Sequence, residues 1–142
     1  MPHIPFVGSV PDDRLYDTTY DMWVQQVGDE VLVGASSFGI HLAGKIIAFT
    51  PKPKGVTIER GRGLGTVECA KTVLAVHAPL SLTLTEGNET LEEKPGLLNA
   101  DPYAAWMVRG KALCWSAEQR FWVNAAAYRQ HILSLEPEAT LS

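Results

Sequence analysis

The sequence predicts a mainly β domain, a small barrel or sandwich, that ends in a helical segment. Many short β-rich runs are separated by turns that contain glycine or proline, which is typical of small barrels and sandwiches. Near the C-terminus the apolar residues recur instead at helical spacing. The length of 142 residues and a hydrophobic content of 46% fit one ordinary globular domain.

The first part of the chain is predicted to form an arm, a hairpin and a short helix. Residues 1–14 have no periodicity, so we expect an irregular N-terminal arm followed by a single domain over residues 15–142. Strands at 21–26 and 30–33 flank a Gly-Asp turn and should pair as a hairpin. A short helix then begins with Ser36 or Ser37 as its N-cap and stops at Gly44.

The central part of the chain contains further short strands. The prolines between residues 51 and 55 indicate a loop, because proline cannot donate to a strand ladder. The predicted strands at residues 64–68 and 73–77 meet at a small residue and a lysine, which predicts a tight hairpin with Lys71 at its tip. The predicted strands lie at residues 45–50, 56–59, 64–68, 73–77 and 80–84.

The C-terminal part is predicted to be mainly helical. Residues 86–103 have loop and short-helix character, and residues 106–109 form a last short strand. Ser116 is expected to begin a helix as its N-cap, with Gln119 completing a capping box. The helical pattern reaches roughly residue 135 with a break at Asn124. Its apolar face consists of Phe121, Tyr128, Ile132 and Leu135.

Composition and charge argue against several function classes. The formal net charge of −4 does not suit a nucleic-acid partner, which requires a clustered basic face. The N-terminus lacks the features of a secretory signal, and no apolar run reaches membrane-spanning length. We therefore expect a cytoplasmic protein that binds neither nucleic acid nor membrane. The two cysteines are expected to be reduced thiols.

The sequence contains no recognisable catalytic or metal-binding arrangement. The four histidines share no ligand spacing, so we assign no metal ligands. There is no nucleophile–base pair and no glycine-rich phosphate loop, so no catalytic residue is assigned. We predict that the chain is not an enzyme in its own right.

Lys71 is the residue for which a chemical role is considered. A lysine at a hairpin tip is usually only a solvated turn residue. An exposed tip is also what an enzyme that attaches a group to the amine requires, because the amine is reached without unfolding. Position alone leaves both interpretations open.

The surrounding residues favour attachment. Residues 65–72, Gly-Thr-Val-Glu-Cys-Ala-Lys-Thr, resemble the G-x-V-E-S-x-K-A hairpin of the glycine cleavage system H protein. Other family segments are matched in the same order between about residues 20 and 132. The matched segments are Trp23-Val24 with Gly28-Asp29-Glu30, Val33-Gly34 with residues 42–46, residues 78–81, residues 97–103 with Trp106-Met107, and residues 125–132.

The resemblance implies both a fold and a role. The fold is a lipoyl-domain-like barrel–sandwich hybrid of two small antiparallel sheets, and residues 15–142 are a single lipoyl-carrier domain. Lys71 aligns with the family's lipoylated lysine, so covalent lipoic acid is the implied cofactor. Glu68 aligns with the glutamate that helps the attaching enzyme, a lipoate–protein ligase, to recognise the site. Without the motif Glu68 is simply an exposed strand-end carboxylate.

The chain departs from the family pattern at several positions, some with reversed charge. Lys45 replaces an acidic residue, Leu82 replaces a glycine and Cys69 replaces a serine. Residues 48–54 form a basic segment, and Met22 stands in the position of the glutamate in the family's His-Glu-Trp. Reversed charge changes partner choice. The chain therefore most resembles the H-like lipoate-binding protein of the sulfur-oxidising, heterodisulfide-reductase-like system. This resemblance implies that the heterodisulfide-reductase-like complex is the partner of the chain.

Two other functions stay open. One is an ordinary glycine cleavage H protein that carries an aminomethyl group from glycine decarboxylase to aminomethyltransferase. The other is a binding module that keeps the fold without the arm, for which Lys71→Arg leaves function unchanged. We expect a monomer, which suits a shuttle that docks weakly on several enzymes.

The cysteines and tryptophans are mainly interpreted as packing residues. Cys69 is either a redox partner of the arm or, as we favour, a small residue in a serine's place. Cys114 is expected in the core. Trp106, Trp115 and Trp122 are expected to pack, and any one left exposed is a candidate partner surface.

Overall fold

Residues 4–142, which the computed structural model describes, contain twelve short strands, five α-helices and one 3-10 helix at Gln119–Phe121. The strands are β1 (Val7–Gly8), β2 (Leu15–Asp17), β3 (Met22–Val27), β4 (Glu30–Ala35), β5 (Ile46–Pro51), β6 (Thr57–Ile58), β7 (Gly63–Cys69), β8 (Thr72–His77), β9 (Leu82–Gly87), β10 (Val108–Ala112), β11 (Trp122–Val123) and β12 (Thr140–Leu141). The helices are α1 (Ser37–Ala43), α2 (Glu89–Glu93), α3 (Leu97–Ala100), α4 (Trp115–Glu118) and α5 (Ala125–Leu135).

Two antiparallel sheets form the body of the domain. The larger has seven strands in the order β11-β2-β3-β4-β10-β9-β6, and the smaller has three in the order β5-β7-β8. Most of the buried apolar side chains lie in one cluster to which both sheets contribute, including Val33, Phe49, Leu64, Leu82 and Met107. The mainly β, barrel–sandwich hybrid prediction is confirmed, and one of the two sheets is larger than expected.

The first hairpin and the first helix are confirmed. Strands β3 and β4 pair across a turn at Gly28, whose φ of 65° lies in the left-handed region that favours glycine. Ser36 is the N-cap of α1, and its hydroxyl accepts a hydrogen bond from Gly39 N at 3.0 Å. Gly44 follows the helix with a φ of 86°, where a side chain is strained.

A second buried cluster lies between β3, α1 and α5. Trp23 is fully buried there, and its indole Nε1 donates to the carbonyl of Pro102 at 3.2 Å. Tyr16 and Tyr128 stack with ring centroids 4.7 Å apart. This cluster holds α5 against the larger sheet.

The predicted start of the C-terminal helix is wrong. The N-cap of α4 is Cys114 and not Ser116, which lies inside a helix of four residues, so no capping box forms. Strand β11 then separates α4 from α5, because Trp122 is buried and pairs with Asp17 of β2. Tertiary pairing overrides local helical propensity here. The break at Asn124 is confirmed, since Asn124 caps α5 and accepts from Ala127 N at 2.9 Å.

Several other expectations for this region need correction. The last predicted strand, 106–109, is β10 and begins two residues later. Tyr128 and Ile132 are buried as expected, but Leu135 is 58% exposed because it ends α5. Cys114 is exposed and not in the core, because it lies in the connection between β10 and α4. Trp122 is buried, while Trp106 and Trp115 are partly buried against the two clusters.

The N-terminal arm is packed onto the domain. Phe6 and Val10 are buried in the second cluster, and β1 pairs in parallel with β12 near the C-terminus. The expected irregular arm thus contains one short strand within residues 4–14. The boundary between arm and domain at residue 14 stays a prediction.

Candidate functional site

Lys71 lies in a two-residue turn, Ala70-Lys71, between β7 and β8. Cys69 of β7 pairs with Thr72 of β8 directly beneath the turn, and Ala70, Lys71 and Thr72 are all exposed. Within residues 4–142, neither a hydrogen bond nor an ion pair engages the Lys71 side chain. The structure therefore places the predicted residue at the tip of a hairpin with its amine available for acylation, which fits a covalently attached acyl group.

The hairpin beneath Lys71 is anchored by alternation along β7. Val67 and Cys69 are buried, whereas Thr66 and Glu68 are exposed on the outer face. Gly65 passes so close to β5 that a Cβ there would lie 2.5 Å from the carbonyl oxygen of Thr50. The motif's glycine is thus explained by close backbone approach, and the turn stands on a firmly packed base.

Asn99 supports the same hairpin from outside the motif. Its side chain accepts from Ile46 N and donates to Gly44 O, both at 2.9 Å. Ile46 in turn pairs with Cys69 next to the turn. The amide of Asn99 therefore holds the start of β5, which the lysine-bearing hairpin needs as its neighbour.

Glu68 and Cys69 face opposite sides of β7. Glu68 is exposed on the outer face, where its cross-strand partner is Val73. Cys69 is 7% exposed and packs in the main core, with its Sγ 3.5 Å from the carbonyl of Thr72. The structure thus leaves Glu68 accessible to a docking enzyme, and it supports the packing interpretation of Cys69.

An apolar cleft of about 150 Å³ lies beside the hairpin, between β8 and α1. Leu74 of its lining is three residues from Lys71, roughly 10 Å along an extended strand. Met22, Ile40 and Ile46 supply further apolar surface. This cleft was missed from the sequence, because its walls come from segments distant in the chain.

Asp21 is the carboxylate that lines this cleft. It is the one non-glycine residue of the described chain with positive φ, at 56°. Its Oδ1 accepts from the Tyr128 hydroxyl at 2.8 Å, and Tyr128 lies 2.7 Å from the Ser36 hydroxyl. Burial raises the pKa of Asp21, and the hydrogen bond from Tyr128 opposes that shift. The sequence carried no signal for this contact between residues 107 positions apart.

Tyr20 and His77 also line the cleft, and the centroids of their stacked rings lie 5.2 Å apart. Arg60 lies over Tyr20 at 5.2 Å and over Phe121 at 3.9 Å. It also forms an ion pair at 2.5 Å with the fully buried carboxylate of Asp17. These contacts hold Tyr20 and thereby support one wall of the cleft.

Other surfaces of the molecule carry less chemistry. A larger groove of about 470 Å³ is lined by Glu86, Glu89, Asp101 and Trp106, and no residue of the lysine hairpin borders it. In residues 4–142, no three His, Cys, Asp or Glu side chains are grouped as a metal ion requires. No helix in the same range combines the length and apolarity needed to cross a bilayer.

Comparison with known proteins identifies close relatives of the chain. The family model described as "Glycine cleavage H-protein" matches residues 14–134. A glycine cleavage system H protein of Leptospira biflexa is 33% identical over 125 residues, which span 87% of this chain and 95% of the relative. A glycine cleavage system H protein of Bacillus cereus is 36% identical over 102 residues, with coverages of 71% and 80%.

A solved structure agrees with the fold. The crystal structure of a glycine cleavage system H protein from Mycobacterium marinum superposes with a TM-score of 0.75 at 27% sequence identity. The match covers 87% of this chain and 98% of that one. The likeness therefore extends over most of this chain and nearly all of that one.

Proposed function

The chain belongs to the glycine cleavage H-protein family, and from this membership we propose that Lys71 is its lipoylated residue. Proteins of this family carry lipoic acid covalently on a lysine and are carrier subunits without catalytic activity. The chain is accordingly a lipoyl carrier and not an enzyme. The observation that supports Lys71 is its free, exposed amine at the tip of an anchored two-residue turn.

Attachment is an acyl transfer to the lysine amine. The Nζ nitrogen forms an amide with the carboxyl carbon of an activated lipoyl donor, while the bond from that carbon to its leaving group breaks and Nζ loses a proton. A lipoate–protein ligase that forms an acyl-adenylate supplies such a donor, and AMP leaves. Glu68, exposed on the same hairpin, is the proposed recognition residue for that enzyme.

Once attached, the lipoyl group supplies a disulfide that opens to hold a group on sulfur and closes again. The protein's contribution is presentation. Lys71 keeps the group tethered, which gives effective concentrations on the order of millimolar at a docked enzyme. The anchored hairpin directs the tether away from the core.

For the carried group, we propose the aminomethyl group that passes from glycine decarboxylase to aminomethyltransferase. The support is the names of the relatives, which are called glycine cleavage system H proteins. Under this proposal the partners are those two enzymes and the ligase. A monomeric state in the cytoplasm stays a prediction.

A second candidate is transfer of a sulfur-bound intermediate in a heterodisulfide-reductase-like system. None of the relatives described above is named for that role. It is favoured by the surface: Lys45, Lys52 and Lys54 are exposed where the family pattern is acidic or neutral. Met22, in place of the family's glutamate, lines the cleft with a thioether in place of a carboxylate.

The modification is tested by incubating the purified chain with lipoate–protein ligase, lipoate and ATP. We expect a mass increment of one lipoyl group on the peptide that contains residue 71. Lys71→Arg should abolish it, and Lys45→Arg, which removes another exposed lysine near the turn, should not. An increment that survives in Lys71→Arg contradicts the assignment.

The carried group is tested with the lipoylated protein. When it is offered to glycine decarboxylase with labelled bicarbonate and glycine, we expect exchange of label into glycine at a rate comparable to an authentic H protein. Absence of exchange, together with transfer by a heterodisulfide-reductase-like complex, favours the second candidate.

A further inference from the structure

Strand β8 forms one edge of the three-stranded sheet and begins directly after Lys71. Five of its six residues are exposed, including Val73 at 60% and Leu74 at 40%. No Asp, Glu, Lys, Arg or Pro occurs within the strand. Folded proteins usually protect such an edge with charges, prolines or bulges, because it otherwise recruits another strand.

The opposite edge of the same sheet has these protections. Strand β5 contains a register shift between Ile46 and Ala48, ends at Pro51, and is flanked by Lys45 and Lys52. The remaining edge strands of the described chain, β6, β11, β1 and β12, have only two residues each. Within residues 4–142, β8 is therefore the one long edge left unprotected.

The backbone of β8 offers hydrogen bonds toward this edge. Because the turn closes on the Cys69–Thr72 pair, bonding to β7 alternates along the hairpin, and Val73 and Ala75 present their N–H and C=O groups outward. Among the described residues, these groups form no backbone hydrogen bond to a further element. The Thr72 hydroxyl makes only a long contact of 3.5 Å with Val73 O.

The position of the edge indicates what pairs with it. An enzyme that acylates Lys71 must close over the turn, and β8 continues from that turn without a break. Val73 is also the cross-strand partner of Glu68, so the side chain of the proposed recognition residue shares a face of the hairpin with a residue of the edge strand. A strand added along β8 fixes the amine relative to the enzyme through main-chain bonds.

We propose that β8 is a docking edge that pairs with a strand of the enzyme that acylates Lys71. The inference rests on the proposed function and adds the mode of recognition. It makes recognition depend on the backbone of residues 73–75 in addition to the Glu68 side chain.

The test compares one charge substitution at the two edges. Val73→Lys and Ile47→Lys both place a lysine at an exposed apolar position, since Ile47 on β5 is 47% exposed. We expect Val73→Lys to raise the KM of the ligase for the carrier about tenfold, as for the loss of one or two contacts, with little change in kcat. The same rise should occur in a Glu68→Gln background, where the new lysine cannot act by pairing with that carboxylate. Ile47→Lys should behave as the wild type, and both variants should keep the wild-type melting temperature.

A second measurement does not depend on turnover. The Lys71→Arg chain is mixed with ligase, lipoate and ATP, and amide hydrogen exchange is followed. We expect the fast-exchanging amides of Val73 and Ala75 to become protected, and those of β5 to stay unchanged.

Three results overturn the proposal. One is a wild-type KM in Val73→Lys, and another is an enzyme complex that leaves Val73 and Ala75 unprotected. The third is a wild-type dimer in sedimentation that Val73→Lys abolishes without affecting the ligase, which assigns the edge to a second copy of the chain. A failure of the proposed function is distinguished by the wild type, which then accepts no lipoyl group at all.

Discussion

The hydroxyl of Tyr128 donates a hydrogen bond of 2.8 Å to the carboxylate of Asp21, so the C-terminal helix α5 contacts the cleft beside the lysine hairpin. Asp21 holds a left-handed backbone conformation at this point, with φ of 56°. The contact extends to the Ser36 hydroxyl, which also caps α1. One buried network thus joins α1, α5 and the wall of the cleft.

Removing the Tyr128 hydroxyl should destabilise the protein. Tyr128→Phe keeps the ring that stacks on Tyr16 but leaves Asp21 and Ser36 without their shared partner. We expect the free energy of unfolding, measured by urea denaturation, to fall by about 1–3 kcal/mol. Tyr20→Phe is the control, because no hydrogen bond involves its hydroxyl in the described chain, and a loss of the same size there contradicts the interpretation.

The raised pKa of Asp21 makes stability depend on pH. Burial raises this pKa above its usual value of 3.8, so the folded state holds the proton more tightly than the unfolded state. The free energy of unfolding therefore falls as the pH rises from the unfolded to the folded pKa, and the cost persists at higher pH. Asp21→Asn tolerates the same backbone conformation and should be more stable than the wild type at pH 7.

The difference between Asp21→Asn and the wild type should disappear near pH 3, as followed by thermal unfolding across the pH range. Asp13 gives a control of opposite sign. A hydrogen bond from Arg14 is the largest of the effects that lower its pKa, so Asp13 stabilises the fold at neutral pH and loses that contribution as the pH falls. Asp13→Asn should be slightly less stable than the wild type at pH 7, and a gain there contradicts the argument.

Arg60 neutralises the buried carboxylate of Asp17. Asp17 also accepts from the backbone N–H groups of Thr19 and Tyr20, and its side chain is fully inaccessible. Arg60→Met should lower the free energy of unfolding by roughly 3–5 kcal/mol, because it leaves an unpaired buried charge.

The double variant with Asp17→Asn tests this explanation, since it removes the charge and should recover much of the loss. Arg62→Met, at an exposed arginine two residues away, should change stability by no more than about 0.5 kcal/mol. A double variant as unstable as the single one shows that the arginine acts through packing over Phe121 instead.

Glu68 should affect recognition and not folding. Glu68→Gln removes one exposed charge beside the turn, so we expect the KM of the ligase for the carrier to rise about fivefold at low salt, and less at high salt. The melting temperature should not change. Glu59→Gln, at an exposed carboxylate outside the hairpin, is the matched control, and an equal effect in both variants assigns the change to net charge alone.

The local elements could largely be read from the sequence, because their signals are local. Short β-rich runs at residues 64–68 and 73–77 predicted β7 and β8, a Gly-Asp turn predicted the first hairpin, and Ser36 with Gly44 bounded α1. The turn at Lys71 follows from the two strands that meet there. Where a distant strand competes with local propensity the prediction failed: the helix expected from Ser116 to Asn124 is interrupted, because Trp122 pairs with Asp17.

By itself, then, the sequence determined the β-rich class, the lysine hairpin and, through its motifs, the family. Only the tertiary structure decided which residues surround that hairpin. The cleft between β8 and α1, the Asp21–Tyr128 contact and the hydrogen bonds of Asn99 to the start of β5 all join segments far apart in the chain, and the arrangement of the strands leaves β8 at an edge. Such relationships depend on how sheets pack and on which strand ends up at an edge, and neither leaves a periodic signal in the residues concerned.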